Sequence, residues 1–219
     1  MNCKRGGENL LTYLCRHLGE ESKLCEMETP LLEAQTLKKK HTFVKEGELN
    51  KNVFWLQSGY GRYFKVKTNE DGVEVEDTID FCKPGKILFV RECVFLDLPG
   101  VFDLQLAAGT VIVPFQKEYF DALELDEAKM IKLINKILAR DRPEGMKRMC
   151  MLKLRPRERY REFLKFFGNE IEQYFAIKHI ASFLGMQPSY LSRLRGEYAK
   201  KKSEAKKYLQ TVFFIMEFI

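Results

Sequence analysis

The side chains best equipped for chemistry lie between Ala176 and Lys200. Gln187, Ser189, Ser192, Arg193 and Lys200 belong to the outward side of a helical pattern that begins at Pro188. An amide, two hydroxyls and a guanidinium make a row of hydrogen-bond donors and acceptors. Such a row suits base edges, because arginine takes guanine O6 and N7 in a bidentate fork. Arg193 is therefore the principal base-reading candidate, and Gln187, Ser189 and Ser192 are secondary. Lys178, Arg195 and Lys200 suit backbone phosphates, which position a protein without reading sequence. The competing role for Arg193 is a pair with Glu197, four residues on, which contributes roughly 0.2–0.5 kcal/mol on an exposed helix.

Those side chains need two helices to hold them. Ile177, Ile180, Ala181 and Leu184 fall on one helical face. Gly185 stands where the first helix must stop, since a left-handed residue costs glycine no side-chain clash. Pro188 fits the first turn of the next helix, where its missing N–H costs little, and Leu191 and Leu194 supply that helix's buried side. This is the pattern of a helix-turn-helix, whose second helix enters the major groove. An ordinary helical hairpin shares the apolar pattern; the cationic outward face argues against it, because groove reading needs donors.

The charge balance points the same way. Residues 140–219 hold 18 Lys+Arg against 9 Asp+Glu, whereas the rest of the chain holds 19 against 22. The net +6 is thus a basic C-terminal third joined to a slightly acidic remainder, the distribution of a nucleic-acid-binding unit attached to a sensing or scaffolding unit. No apolar run is long enough to span a bilayer, and the residues after Met1 lack the apolar core of a secretion signal, so a cytoplasmic protein without membrane partners is expected. Cys3, Cys15, Cys25, Cys82, Cys93 and Cys150 contain no Cys-x-x-Cys pair and match no zinc spacing. Reduced and mostly buried thiols are expected, with no metal and no cofactor. His17, His41 and His179 are far apart and form no metal set.

Along the chain, residues 7–33 read as helical, with Leu10, Leu11, Leu14 and Leu18 at helical spacing. From Leu37 to Val113 short β-branched and aromatic runs alternate with turns: His41–Val44, Val53–Leu56, Gly61–Val66, Val73–Ile79 and Gly109–Val113. Asp71-Gly72 is the best hairpin turn. Many short strands at even spacing indicate a barrel or roll. After Pro114 the pattern turns helical: a piece from Phe115 to Leu123, then residues 126–140 with Met130, Leu133, Ile134, Ile137 and Leu138 on one side, as core or as a dimer seam. Arg142-Pro143-Glu144-Gly145 is expected to interrupt that helix, since proline and glycine both disfavour its continuation. Pro156 opens another helix, closed by Gly168-Asn169. The tail carries Lys200–Lys202 and Lys206-Lys207 before an apolar end, Tyr208 to Ile219, too short to span a bilayer.

This order resembles the Crp/Fnr family of bacterial transcription regulators, over roughly Thr36 to Arg195. Phe43-Val44-Lys45-Glu46-Gly47-Glu48 through Val53 to Arg62 looks like the opening strands and glycine turns of that family's β-roll. Arg159-Tyr160 with Phe163-Leu164 looks like the helix leading into its DNA-binding domain. Ile180 to Gly185 with Leu191-Ser192-Arg193-Leu194-Arg195 carries the strongest likeness, in the style of the Bacteroidetes branch. The resemblance implies an α+β chain: a cyclic-nucleotide-binding-like β-roll (double-stranded β-helix) with flanking helices over residues 1–125, a linker and dimerisation helix over 126–150, and a winged helix-turn-helix over 151–219. A boundary near Pro143 to Pro156 agrees with it.

The resemblance also implies a Ser-Arg pair on DNA, here Ser192 and Arg193. Ser189 replaces the glutamate usually found three residues earlier, Gln187 the usual capping Ser/Thr, and Ala176 the polar residue that often starts the first helix. In cyclic-AMP binders of the family a glutamate holds the ribose hydroxyl and an arginine the cyclic phosphate. Here Lys86 stands in place of the glutamate, and the segment Asp97 to Leu106 holds no arginine. The family's N-terminal iron–sulfur cysteine cluster is missing as well. The expectation is a homodimer that reads a two-fold-symmetric operator in double-stranded DNA through helix 188–198, with half-sites about 34 Å apart, and that does not respond to cyclic AMP. Lys86 and Arg91 remain candidates for an unknown small anionic effector. An enzyme on a cupin-like roll is disfavoured, since such sites need two or three histidines and the roll holds only His41. The alternative is a protein-interaction module with a degenerate helix-turn-helix.

Overall fold

The structure, a computed structural model, describes residues 10, 12–14, 33–115 and 127–200. Among these residues eight strands form two antiparallel four-stranded sheets. We number them β1 (Gln35–Thr36), β2 (His41–Val44), β3 (Val53–Ser58), β4 (Gly61–Thr68), β5 (Glu74–Cys82), β6 (Lys86–Leu88), β7 (Asp103–Leu106) and β8 (Val111–Phe115). One sheet runs β1-β8-β3-β6 and the other β2-β7-β4-β5. Alternation along each strand sends Val44, Phe54, Leu56, Leu88, Leu104 and Leu106 into a common core. The Asn69–Gly72 turn closes the β4–β5 hairpin, with Gly72 at φ 77° and its N–H bonded to Asn69 O at 3.0 Å.

A short helix α1 (Arg91–Phe95) follows β6. The long helix α2 (Glu127–Leu152) comes next, then α3 (Pro156–Phe167), α4 (Ile171–Tyr174) and α5 (Ile177–Phe183). A last helix, α6, runs over residues 188–200. Pro156 lies in the first turn of α3, and Gly168 ends that helix.

Two sequence expectations are corrected. The Pro143 segment does not interrupt the helix: α2 passes through it unbroken for 26 residues. An internal proline costs about 3 kcal/mol. Ion pairs on either side offset this by tying the helix to the roll: Asp141 and Glu144 to Lys86 at 2.9 and 2.8 Å, and Arg148 to Asp80 at 2.9 Å. Nor does a helix begin at Phe115, which ends β8. Pro114 is tolerated in that strand because β1 pairs only with Val111 and Ile112, so no neighbour demands its N–H on that side. Most of the expected N-terminal helix, the remainder of the 115–123 piece and the tail from residue 201 lie outside the described residues.

The C-terminal helices pack on the outer face of the β2-β7-β4-β5 sheet. Phe81 projects from β5 into a cage of Phe163, Phe167, Phe175 and Phe183, with ring centroids 5.0–5.8 Å away. Tyr60 donates its hydroxyl to Phe167 O at 2.7 Å. Sheet and helices therefore share one apolar cluster.

Candidate nucleic-acid interface and sensor cleft

The helix pair is built as its apolar spacing requires. Ile180, Ala181, Leu184, Leu191 and Leu194 are buried, and Ile177 packs against them. Gly185 has φ 59°; its N–H bonds Ser182 O, and Met186 N–H bonds Ala181 O at 2.9 Å. These two bonds are the Schellman closure of α5. Leu191 N–H reaches Gln187 O, so Gln187 begins α6 with Pro188 as its first residue. Ala176 caps α5 without a side-chain bond. Arg159 holds the turn from below: it donates to Leu184 O and, at 2.9–3.2 Å, to Leu154 O.

Gln187, Ser189, Ser192, Arg193 and Lys200 are all exposed on or beside α6, and Lys178 is exposed on α5. Arg193 lies with its guanidinium carbon 5.0 Å from the Tyr190 ring centroid. Glu197 pairs instead with Arg157 at 2.9 Å, so the Arg193–Glu197 pair does not form. Arg195 is half-buried and bonds Glu172 at 2.8 Å, and Glu172 also accepts the Tyr160 hydroxyl. Burial and the adjacent Glu172 carboxylate push the Tyr160 hydroxyl pKa up.

Sequence reasoning missed Arg62. It projects from β4 to the outer sheet face and exposes 1% of its surface. It donates to Gln105 Oε1 at 2.9 and 3.1 Å, to Thr78 Oγ1 at 3.3 Å and to Glu76, and its NH1 lies 2.8 Å from His179 Nδ1 on α5. Burial, then the Arg62 charge, lowers the His179 pKa to about 4, against an opposing pull from Glu76. Nδ1 is thus the acceptor of an Arg62 N–H. Beside it, Ser182 accepts from Thr78 N–H at 2.9 Å and donates to Asp77 at 3.0 Å. The only sequence signal for Arg62 was an arginine at an outward strand position, which ordinarily faces water.

The second candidate site is a cleft of about 680 Å³ between the roll, α1 and α2. Lys86, Arg91, Tyr63, Asp80, Cys82 and Arg148 line it. The structure brings Lys86 and Arg91 together through a shared carboxylate: Asp141 takes both, at 2.9 and 3.3 Å, and Lys86 also meets Glu144. Burial would lower the Lys86 pKa, but its bonds to Glu144 and Asp141 outweigh this and raise it. Burial pushes up the Tyr63 hydroxyl, the Cys82 thiol and the Asp80 carboxyl, the last against Arg148. Among the described residues no three His, Cys, Asp or Glu side chains gather to hold a metal, and no helix is long and apolar enough to cross a membrane.

The paired sheets, the long helix and the helices that follow share the fold of solved CRP-family transcriptional regulators and of a cyclic nucleotide-binding domain containing protein. The chain is similar to a CRP-family transcriptional regulator from Thermus thermophilus, with 16% identity, a TM-score of 0.56, and 78% of this chain and 85% of that one covered. It is similar to a cyclic nucleotide-binding domain containing protein from Listeria monocytogenes, with 14% identity, a TM-score of 0.55, and 88% and 91% covered. FixK2 from Bradyrhizobium japonicum matches at 16% identity and a TM-score of 0.55, with 77% and 85% covered. No protein-family model matches the chain, and no curated protein matches it in sequence.

Proposed function

We propose that the chain is a DNA-binding transcription regulator of the Crp/Fnr type, in the Bacteroidetes-like style of its helix pair. It acts in the cytoplasm as a homodimer joined along α2, with α5 and α6 as a helix-turn-helix and no catalytic activity. The observation that carries this reading is the exposed row Gln187, Ser189, Ser192 and Arg193 on a helix whose other side is packed. Among the described residues no carboxylate pairs with Arg193, which leaves its fork available to guanine. Lys178 and Lys200 are exposed for phosphates. Arg195 serves first to hold α6 to Glu172, and its phosphate role is secondary.

The cleft supports a regulator insensitive to cyclic AMP. Asp141 and Glu144 of α2 already pair with Lys86 and Arg91, so neither cation is left free to hold a cyclic phosphate. An effector for it is small and carries cationic or hydrogen-bonding groups, or displaces those carboxylates.

Selection of duplex DNA from a random pool by the purified full chain tests the reading. Enrichment of a two-fold-symmetric site is expected. Arg193→Ala should cost about 1–3 kcal/mol at one base position of each half-site and relax preference there, without changing thermal stability. An Arg193→Ala protein that keeps both affinity and preference overturns the groove assignment.

A further inference from the structure

Tyr190 lies in the first turn of α6 and is half-buried, packed against the cluster that holds Leu191 and Leu194. Its ring is fixed from beneath, and the guanidinium carbon of Arg193 lies over that ring, 5.0 Å from the centroid. The two residues are three apart, so they are neighbours on the helix surface. Arg193 has three other neighbours of this kind, Ser189, Gly196 and Glu197. Ser189 carries no charge, and Glu197 is taken by Arg157 at 2.9 Å. Gly196 has no side chain, and even a Cβ there would meet no atom within 4 Å. Among the described residues no ion pair or hydrogen bond holds Arg193, and the Tyr190 ring stands in for both.

The kind of partner that holds Arg193 decides what its fork can do. A carboxylate would occupy the in-plane N–H groups that guanine requires. An aromatic ring meets the guanidinium through its face and leaves those donors free. An arginine with no partner must give up its side-chain freedom on reaching a base, and that loss weakens binding. A stacked arginine has given up part of that freedom beforehand. The Tyr190 hydroxyl forms no hydrogen bond among the described residues, so the ring is the part that acts.

We propose that Tyr190 is a positioning residue for base reading. Its ring stacks on Arg193 in the free protein and presents the edge of the guanidinium to the major groove. The inference rests on the DNA-binding reading above. It adds a determinant of sequence preference whose own side chain need touch no base, acting only through Arg193.

The test is a double-mutant cycle on the full chain and its selected duplex, with Tyr190→Leu and Arg193→Ala as the two changes. Leucine keeps the apolar packing and the helix propensity but has no ring face. An exposed cation–ring contact is worth roughly 2- to 5-fold in affinity, so Tyr190→Leu should weaken binding by about 4- to 25-fold on a duplex with two half-sites. It should relax preference at the base pair where Arg193→Ala relaxes it, and at no other. In the Arg193→Ala background it should change neither affinity nor preference. Tyr190→Phe, which keeps the ring, should bind as wild type does. Equal thermal midpoints show that the variants fold. A tyrosine that only packed α6 would weaken binding equally in both backgrounds. That additive outcome, or a Tyr190→Phe protein as weak as Tyr190→Leu, overturns this inference and leaves the DNA-binding reading standing. If the wild-type chain selects no duplex, the DNA-binding reading fails and takes this inference with it.

Discussion

Arg62 is the largest fully buried side chain among the described residues, and a buried cation is costly unless every donor is used. Gln105, Thr78, Glu76 and His179 use them, and the Phe64 ring lies 4.2 Å from the guanidinium carbon. The arrangement fixes the sign of a pH effect. His179 has a folded pKa of about 4 against an ordinary 6.5, so below pH 6.5 the unfolded chain binds a proton that the folded one refuses. Burial would raise the Glu76 pKa, but the bond from Arg62 outweighs it and holds that carboxyl below its ordinary value. The Glu76 contribution is therefore present above about pH 4.5 and also falls on acidification. Lys178 and Lys40 further disfavour the imidazolium. Stability should therefore drop between pH 6.5 and 4, by on the order of 2 kcal/mol for His179 after solvent screening. His179→Gln keeps an acceptor for Arg62 and should flatten that limb in urea unfolding at stepped pH. A His179→Gln protein with the wild-type pH profile would place the titration elsewhere.

At the scale of elements, α5 is fastened to the exposed edge of β5 by Ser182. Its hydroxyl satisfies Thr78 N–H and Asp77 at once. Ser182→Ala leaves both without that partner, a cost of about 1–3 kcal/mol. The readout is amide exchange: Thr78 should exchange faster and the urea midpoint should fall, while amides within the β3–β8 ladder respond only to the global change. Unchanged exchange at Thr78 would mean that the latch contributes nothing.

The same elements show what was legible in the chain. The helix pair could be read because its information is local: six apolar positions, Gly185 and Pro188 lie within 18 residues. Strand β7 was harder. Asp103-Leu104-Gln105-Leu106 alternates correctly but is only four residues long and is not among the strand runs read from the sequence. Alternation also shows that a strand has two faces without showing what covers the second. The outward Phe81 and Arg62 therefore gave no warning that helices 80–120 residues later would pack on them. Pro143 misled for the opposite reason. Its local penalty is real, and the ion pairs that offset it come from Lys86 and Asp80, both distant in sequence.

At the scale of the whole molecule, the long helix sets how two copies would meet. Leu133 and Ile137 of α2 are buried against the roll, while Ile131, Met146 and Met149 stand more than half exposed. With 3.6 residues per turn, positions 131, 146 and 149 fall on one side of a helix about 39 Å long. Three exposed apolar side chains on one side, Ile131, Met146 and Met149, fit a seam on a two-fold axis, where the same surface serves both partners. On the proposed reading, binding to a two-fold operator would depend on that seam, because one half-site gives a single protomer only part of the contacts. Met146→Asp with Met149→Asp places four carboxylates across the axis and should convert the dimer to monomers in sedimentation equilibrium at micromolar concentration. Both substitutions lie on an exposed side, so the thermal midpoint of the monomer should change little. Affinity for the symmetric duplex should fall by at least ten-fold, about 1.4 kcal/mol, while the variant and wild type should bind an isolated half-site equally. A wild-type chain that sediments as a monomer, or a double variant that remains a dimer, overturns α2 as the seam and returns its apolar stripe to some other use.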